Sequence, residues 1–322
     1  MQRQMTLHLP DNVKVHFAGG EVQNQYIAAQ LLGVSYSLYT CYPWVERKLF
    51  PHPKSPIMAQ VWQREDTARL VAQHIAKTSI HTIQDSGLFT LMFGSQKDVV
   101  KDAKLINRWY DGLVEYTLNH GQPVTCVEVD CQRILGVEAA WEFRQRMRRD
   151  LPNNRIINVF HLPDGQKGLD RLIEYSDYIA ISVPELRFNG KKNNVAALAR
   201  YIKKKKPSID IHLLGCTEIS LIKECRFCTS ADSTSWIAGK RFGYLKGRHI
   251  RTLDIGKCRD ICGEETFAKL CEYNKPENAA FLVASIEHLK AQYQRAAGNQ
   301  DYYKLQPSVE RPLLSTSGAG II

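Results

Sequence analysis

Apolar positions in this chain fall into short continuous runs separated by longer stretches of helical periodicity. Val13–Gly19, Val34–Thr40, Ile80–Gln84, Val124–Val129, Arg155–Phe160, Tyr178–Val183, Ile209–Leu214 and Phe227–Ala231 each read as a strand. Spacings near 3.6 predict helices over Tyr26–Leu32, Asp66–Lys77, Asp98–His120, Gly136–Asp150, Gln166–Ser176, Asn193–Lys206, Thr217–Glu224 and Glu277–Ala297. Tyr42–Pro56 holds four prolines and several aromatics and predicts an ordered loop. The strands are continuously apolar rather than alternating, as a parallel sheet covered on both faces requires. Eight strand–helix steps predict an α/β fold, a (β/α)8 TIM barrel. An open doubly wound sheet lacks its usual glycine-rich phosphate loop here. We expect one domain over residues 1–322, with a Cys-containing insertion at 241–276 before the last helix. Residues 306–322, rich in Pro, Ser, Thr and Gly, predict a loosely held tail.

A barrel gathers its strand C-termini into one mouth, so the residues ending each run become neighbours. They are Gly19, Asp85, Asp130, His161, Ser182, Gly215 and Asp232. Any one of these aspartates reads equally as a helix cap. Three together are costly as decoration, because like charges raise each other's pKa. Such a set suits covalent catalysis with separate acid–base and binding carboxylates.

Composition narrows the setting. The chain is 44% hydrophobic and 24% charged, with no apolar run long enough to span a membrane and no apolar core of a signal peptide near Met1. The expectation is a soluble cytoplasmic protein with no membrane partner. Nine cysteines without a disulfide-framework spacing predict reduced thiols or metal ligands. A formal charge of +10 favours a polyanionic partner.

Short segments resemble the tRNA-guanine transglycosylases, and more closely their DNA-modifying relatives in bacteria and phages, the 7-deazaguanine DNA transglycosylases. Asp85-Ser86-Gly87-Leu88-Phe89 is similar to the family's Asp-Ser-Gly-Gly-Phe-Gln, and Val129-Asp130 to its Phe-Asp. Ile181-Ser182-Val183-Pro184-Glu185 stands at Leu-Ala-Val-Gly-Glu, Leu214-Gly215 at the Gly-Val-Gly turn, and Ala231-Asp232 at the Phe-Asp-Cys nucleophile. The resemblance spans the barrel from its first strand to its eighth. It departs after Asp232, where Ser-Thr-Ser-Trp replaces a Pro-Thr-Arg segment, and at Leu88, Thr90 and His161, which replace Gly, Gln and Gln. The first departure bears on reading a tRNA anticodon loop, the second on which base edge is read.

The resemblance implies a pentosyltransferase that exchanges guanine in DNA for a 7-deazaguanine base such as preQ0. Asp232 would be the nucleophile, Asp85 the acid–base, and Asp130 the acceptor for the base's N1–H and amine. His161, Ser182, Val183, Gly215, Ser86 and Phe89 would complete the base pocket. A tRNA substrate, or a catalytically silent nucleic-acid-binding partner subunit, is the alternative. Lys240, Arg241, Lys246, Arg248 and Arg251, interleaved with Trp236, Phe242 and Tyr244, are the expected phosphate contacts. Arg144, Arg146, Arg148 and Arg149 crowd one helix, and Lys203–Lys206 end another as favourable charge at a helix C-terminus. Cys258, Cys262, Cys271 and His288 stand where the tRNA enzymes hold a structural Zn2+, at wider spacing. They read either as zinc ligands or as loop thiols and a surface histidine. A phage-encoded chain would act in the host cytoplasm.

Overall fold

In the computed structural model of the chain, the described residues are 13–20, 23–34, 36–50, 81–93, 96–245, 248–249 and 252–298. Eight strands form one closed parallel barrel: β1 (Lys14–Ala18), β2 (Tyr36–Thr40), β3 (His81–Asp85), β4 (Thr125–Val127), β5 (Arg155–Phe160), β6 (Tyr178–Ser182), β7 (Asp210–Leu214) and β8 (Ser230–Ser233). Each strand pairs with its sequence neighbour, and β8 returns to β1 in register from Lys14↔Ser230 to Phe17↔Ser233. The expected (β/α)8 TIM barrel is therefore what the chain forms. No helix among the described residues is long and apolar enough to cross a membrane.

The first helices are α1 (Gln23–Leu31), α2 (Tyr42–Leu49), α3 (Leu88–Phe93), α4 (Ala103–Leu118), α5 (Gln132–Leu135), α6 (Val137–Asp150) and α7 (Gly165–Tyr175). Then come α8 (Val183–Phe188), α9 (Val195–Lys205), α10 (Ile219–Glu224), α11 (Ser235–Phe242), α12 (Ile255–Cys262), α13 (Glu264–Cys271) and α14 (Pro276–Ala297). A short hairpin, β9 (Tyr244–Leu245) with β10 (Arg248–His249), follows α11.

Alternate strand positions separate into two sets, as the pleat demands. Ile179, Ile181, Ile211, Leu213 and Ala231 join the buried cluster shared with the helices. Ala18, Leu38, Ile83, Val127, Ile157, Val159, Tyr178 and Ala180 form a second, small cluster of their own, the barrel's filling. Near this filling the chain places fully buried His16, His212 and Ser230, so the barrel interior is partly polar.

Three expectations are corrected. Residues 42–49 form a helix, not a loop, because Pro43 falls in its first turn, where a missing N–H costs nothing; Pro51, Pro53 and Pro56 lie outside the described residues. The eighth strand is Ser230–Ser233 rather than Phe227–Ala231, because Cys228 N–H closes a turn onto Cys225 O at 2.9 Å and pairing with β1 carries the strand on through Asp232. Trp236 is buried, not part of a surface run: its Nε1–H donates to Ala18 O at 2.8 Å and its ring meets Phe17 edge-on at 5.9 Å. The helix expected over 66–77 and the tail over 306–322 lie outside the described residues.

The arginines of α6 are largely structural. Arg144 is buried behind β4 and β5, where its Nε bonds both oxygens of Glu128 (2.9 and 3.0 Å) and its guanidinium reaches Val159 O at 2.9 Å. Glu128 also accepts from Asn158 Nδ2 and Val159 N. Arg148 lies over the Tyr175 ring at 3.7 Å and donates to Tyr175 O. Lys203 lies in the last turn of α9 but is buried, donating to Ile209 O beyond the helix at 2.6 Å.

Candidate active site at the barrel mouth

Every residue expected at a strand C-terminus is found there. Asp85 and Ser182 are the last residues of β3 and β6, Gly19, His161 and Gly215 directly follow β1, β5 and β7, Asp130 lies three residues past β4, and Asp232 sits one residue before the end of β8. Asp85 Oδ2 accepts Gly87 N–H at 3.1 Å. Gly87 has φ of 72°, and a side chain there would meet Tyr42 Cβ at 2.8 Å, so the turn that presents Asp85 needs glycine. Ser86 is buried and anchors this turn: its carbonyl accepts from Trp109 Nε1 and its hydroxyl from Leu88 N–H. Phe89 is 58% exposed and packs on Phe93 at 4.8 Å.

Asp130 and His161 meet directly. His161 Nε2 lies 3.0 Å from Asp130 Oδ2, and its Nδ1 lies 2.7 Å from Glu185 Oε2. Arg133 closes the chain on Glu185 Oε1 at 2.7 Å. With a carboxylate at each ring nitrogen, both nitrogens must carry protons. Burial alone pushes this imidazole pKa down, but hydrogen bonds and charge from Asp130 and Glu185 outweigh it and raise the value to about 10. His161 is a charged bridge at neutral pH.

This has a thermodynamic sign. The folded protein keeps a proton that an unfolded histidine releases near its ordinary 6.5. The stabilisation is full below that value and is lost as pH rises through about 10. Between pH 7 and 10 the parent protein should lose about 2–4 kcal/mol that His161→Gln does not lose, read from urea midpoints across a pH series. Parallel pH curves for the two proteins would remove the charged bridge.

Asp232 is held differently. Its Oδ1 accepts from Gly215 N at 2.6 Å and from His212 Nε2 at 3.2 Å. His212 Nδ1 contacts Ser230 Oγ at 2.6 Å, which contacts Tyr178 Oη at 2.6 Å. Gly215 has φ of 66°, and a side chain there would meet Pro184 Cγ at 2.8 Å, so its amide reaches Asp232 only as glycine. Asp130 and Asp232 thus share a pattern: one oxygen engaged by a histidine from the neighbouring strand, the other without a hydrogen bond among the described residues. Val183 packs into the core, and the Ser182–Val183 backbone opens α8.

Sequence reasoning missed His212, Ser230, Tyr178, Glu185 as a histidine partner, and His16. The available signal was a histidine two residues before the end of β1 and of β7, on the face opposite the residues that meet the helices.

The expected phosphate contacts are only partly placed. Lys240 and Arg241 lie on α11 and Arg248 on β10, all beyond the C-terminal end of β8, while Lys246 and Arg251 lie outside the described residues. Cys258 and Cys262 are on α12, Cys271 ends α13 and His288 is on α14. Burial raises the thiol pKa values of Cys258, Cys262 and Cys271, and Cys262 feels the other two. Still, among the described residues no three His, Cys, Asp or Glu side chains are gathered as a metal-ligand set. As they stand, the four residues named for zinc do not form its tetrahedral site. The core cysteines are simpler: burial pushes Cys126, Cys131 and Cys216 up to about 12, so they pack as neutral thiols.

No protein-family model matches the chain, and no curated protein matches it. Among solved structures it is similar to 2,3-dimethylmalate lyase, a PEP mutase/isocitrate lyase superfamily member, at 13% identity and a TM-score of 0.36, covering 82% of this chain and 94% of that one. A likeness that loose carries no argument about chemistry. What fold and site define together is a (β/α)8 barrel with aspartates at the ends of its third, fourth and eighth strand segments.

Proposed function

We propose that the protein is a pentosyltransferase exchanging guanine in DNA for a 7-deazaguanine base through a covalent aspartyl–sugar ester. The observation that carries the reading is the placement of Asp85, Asp130 and Asp232 at one end of one barrel, with an oxygen of Asp130 and of Asp232 left without a protein hydrogen bond among the described residues. Asp232 attacks the anomeric carbon as the bond to guanine breaks, and the electron pair leaves with the base. A carboxylate suits this step because the transition state resembles an oxocarbenium ion. Asp85 gives its proton to the departing guanine and takes one from the incoming 7-deazaguanine, whose attack on the same carbon releases Asp232. Asp130 accepts from the N1–H and exocyclic amine of either base, its position set by His161. A guanine in duplex DNA must leave the stack to reach this mouth. Ser182, Val183, Gly215, Ser86 and Phe89 shape the base pocket in this reading, and Lys240, Arg241, Lys246, Arg248 and Arg251 supply phosphate contacts.

The test is exchange of labelled guanine into matched DNA and tRNA substrates across a salt series, with mass spectrometry of the nucleosides afterwards. We expect label in DNA and a steep loss of binding with salt as counterions are released. Label in tRNA alone makes the protein a divergent tRNA enzyme. Binding without exchange in either makes it a silent partner subunit.

Zinc is a separate proposal that no step of this chemistry uses. A structural Zn2+ on Cys258, Cys262, Cys271 and His288 would need the four side chains brought together, since among the described residues they form no such set. Metal analysis is then expected to find about one zinc per chain, with Cys262→Ser lowering both metal content and stability. A metal-free, folded and active protein would remove zinc and leave the barrel chemistry untouched.

A further inference from the structure

We propose that His212 is a positioning residue for Asp232, and that with the Gly215 amide it assigns different jobs to the two carboxylate oxygens. The proposal rests on the reading of Asp232 as the nucleophile. Both donors converge on Oδ1, at 2.6 and 3.2 Å, and none of the described residues bonds Oδ2. Oδ2 is therefore the attacking oxygen, and Oδ1 becomes the carbonyl oxygen of the sugar ester.

The histidine is itself oriented. A carboxylate oxygen cannot donate, so Nε2 carries the proton it shares with Asp232. Nδ1 then accepts from the Ser230 hydroxyl, which in turn accepts from Tyr178 Oη. All three residues are fully buried, so no water competes for the tautomer. His16, paired across from Asp232 on β1, stands beside this chain with its ring centre 6.3 Å from that of His212 and its Nδ1 3.1 Å from Ala231 O. Asp232 is itself buried, and both donors go to the same oxygen of its carboxylate, which leaves Oδ2 without a bond among the described residues.

The consequence is asymmetric between the half-reactions. When the ester forms, negative charge leaves the carboxylate, so donors already in place at Oδ1 give that step no help. When the ester breaks, charge returns to Oδ1, and donors waiting there stabilise the transition state without rearrangement. The His212 donor thus serves the second half-reaction, in which the incoming base displaces Asp232 from the sugar.

The experiment follows the covalent protein–DNA adduct and steady-state exchange in parallel. His212→Phe is expected to slow exchange about a hundredfold while the denaturant-stable adduct accumulates. His212→Gln, which can still present an N–H to Oδ1, should restore exchange to within about tenfold of the parent and lose the accumulation. Ser230→Ala keeps the imidazole but frees its tautomer, and guards against a misfolded His212→Phe; a smaller shift in the same direction is expected. Nitrogen NMR of the histidine rings should show His212 protonated at Nε2 in the parent and altered in Asp232→Ala, which removes the acceptor.

Each outcome decides something. A His212→Phe protein that exchanges slowly with no more adduct than the parent overturns the positioning role alone. A proton on Nδ1 instead of Nε2 overturns it independently of activity. Adduct that survives in Asp232→Ala, or a parent with neither exchange nor adduct, sinks the nucleophile assignment and this role with it.

Discussion

Asp232→Ala is expected to lower guanine exchange by roughly a thousandfold or more, because it removes the nucleophile of the proposed reaction. DNA affinity should stay within about threefold, since no phosphate contact in the proposed set involves Asp232. The alanine also strips an acceptor from Gly215 N–H and His212 Nε2–H, which leaves one half-buried and one buried donor unpaired. Some destabilisation, about 1–3 kcal/mol, should accompany it. Asp232→Asn separates the two effects: its amide oxygen can still accept at Oδ1, so stability should hold while exchange is lost. Exchange near the parent rate in either variant would end the nucleophile assignment.

The second large effect is on stability. Arg144→Ala should cost about 3–5 kcal/mol in urea unfolding, because it abandons Glu128 as an uncompensated charge behind the barrel wall. Burial raises the Glu128 pKa, with Arg144, Asn158 and Val159 N–H opposing that rise. Without the arginine the rise is opposed less and the carboxyl should hold its proton to higher pH, so the variant should lose stability as pH rises. The pair Glu128→Leu with Arg144→Leu should recover only part of the loss, since Asn158 and Val159 N–H then lack their acceptor. Little change in Arg144→Ala would return this arginine to the solvated face that its neighbours suggested.

The barrel was legible because parallel strands buried on both faces leave continuous apolar runs, and because their C-termini carry polar residues that punctuate each run. The runs were mislocated where polar residues continue a strand. Ser230, Asp232 and Ser233 form β8 through backbone pairing with β1, and no hydrophobic pattern marks that. Tyr42–Leu49 was obscured by a proline whose position in the first turn is harmless. Within the site, the three aspartates were readable as strand-end residues. The histidines behind them were not, because His212 lies in the middle of a run, between Ile211 and Leu213, and its role depends on Ser230 and Asp232 from another strand. Arg144 shows the limit on charge patterns: four arginines in one helix look like a surface, yet the first is among the most buried side chains of the fold.

The closing seam between β1 and β8 has a consequence for how the protein comes into being. The candidate nucleophile lies on one side of that seam, and the strand that completes its barrel wall was translated more than two hundred residues earlier. Such long-range pairing is slow to form and comes late in folding. A ribosome-bound chain that has emerged only as far as β7 already holds Asp85 and Asp130 but neither Asp232 nor the Ala231 carbonyl to which His16 binds. On the proposed reading, guanine exchange therefore waits until the two ends of the barrel meet, and a chain that ends at β7 is expected to be inert.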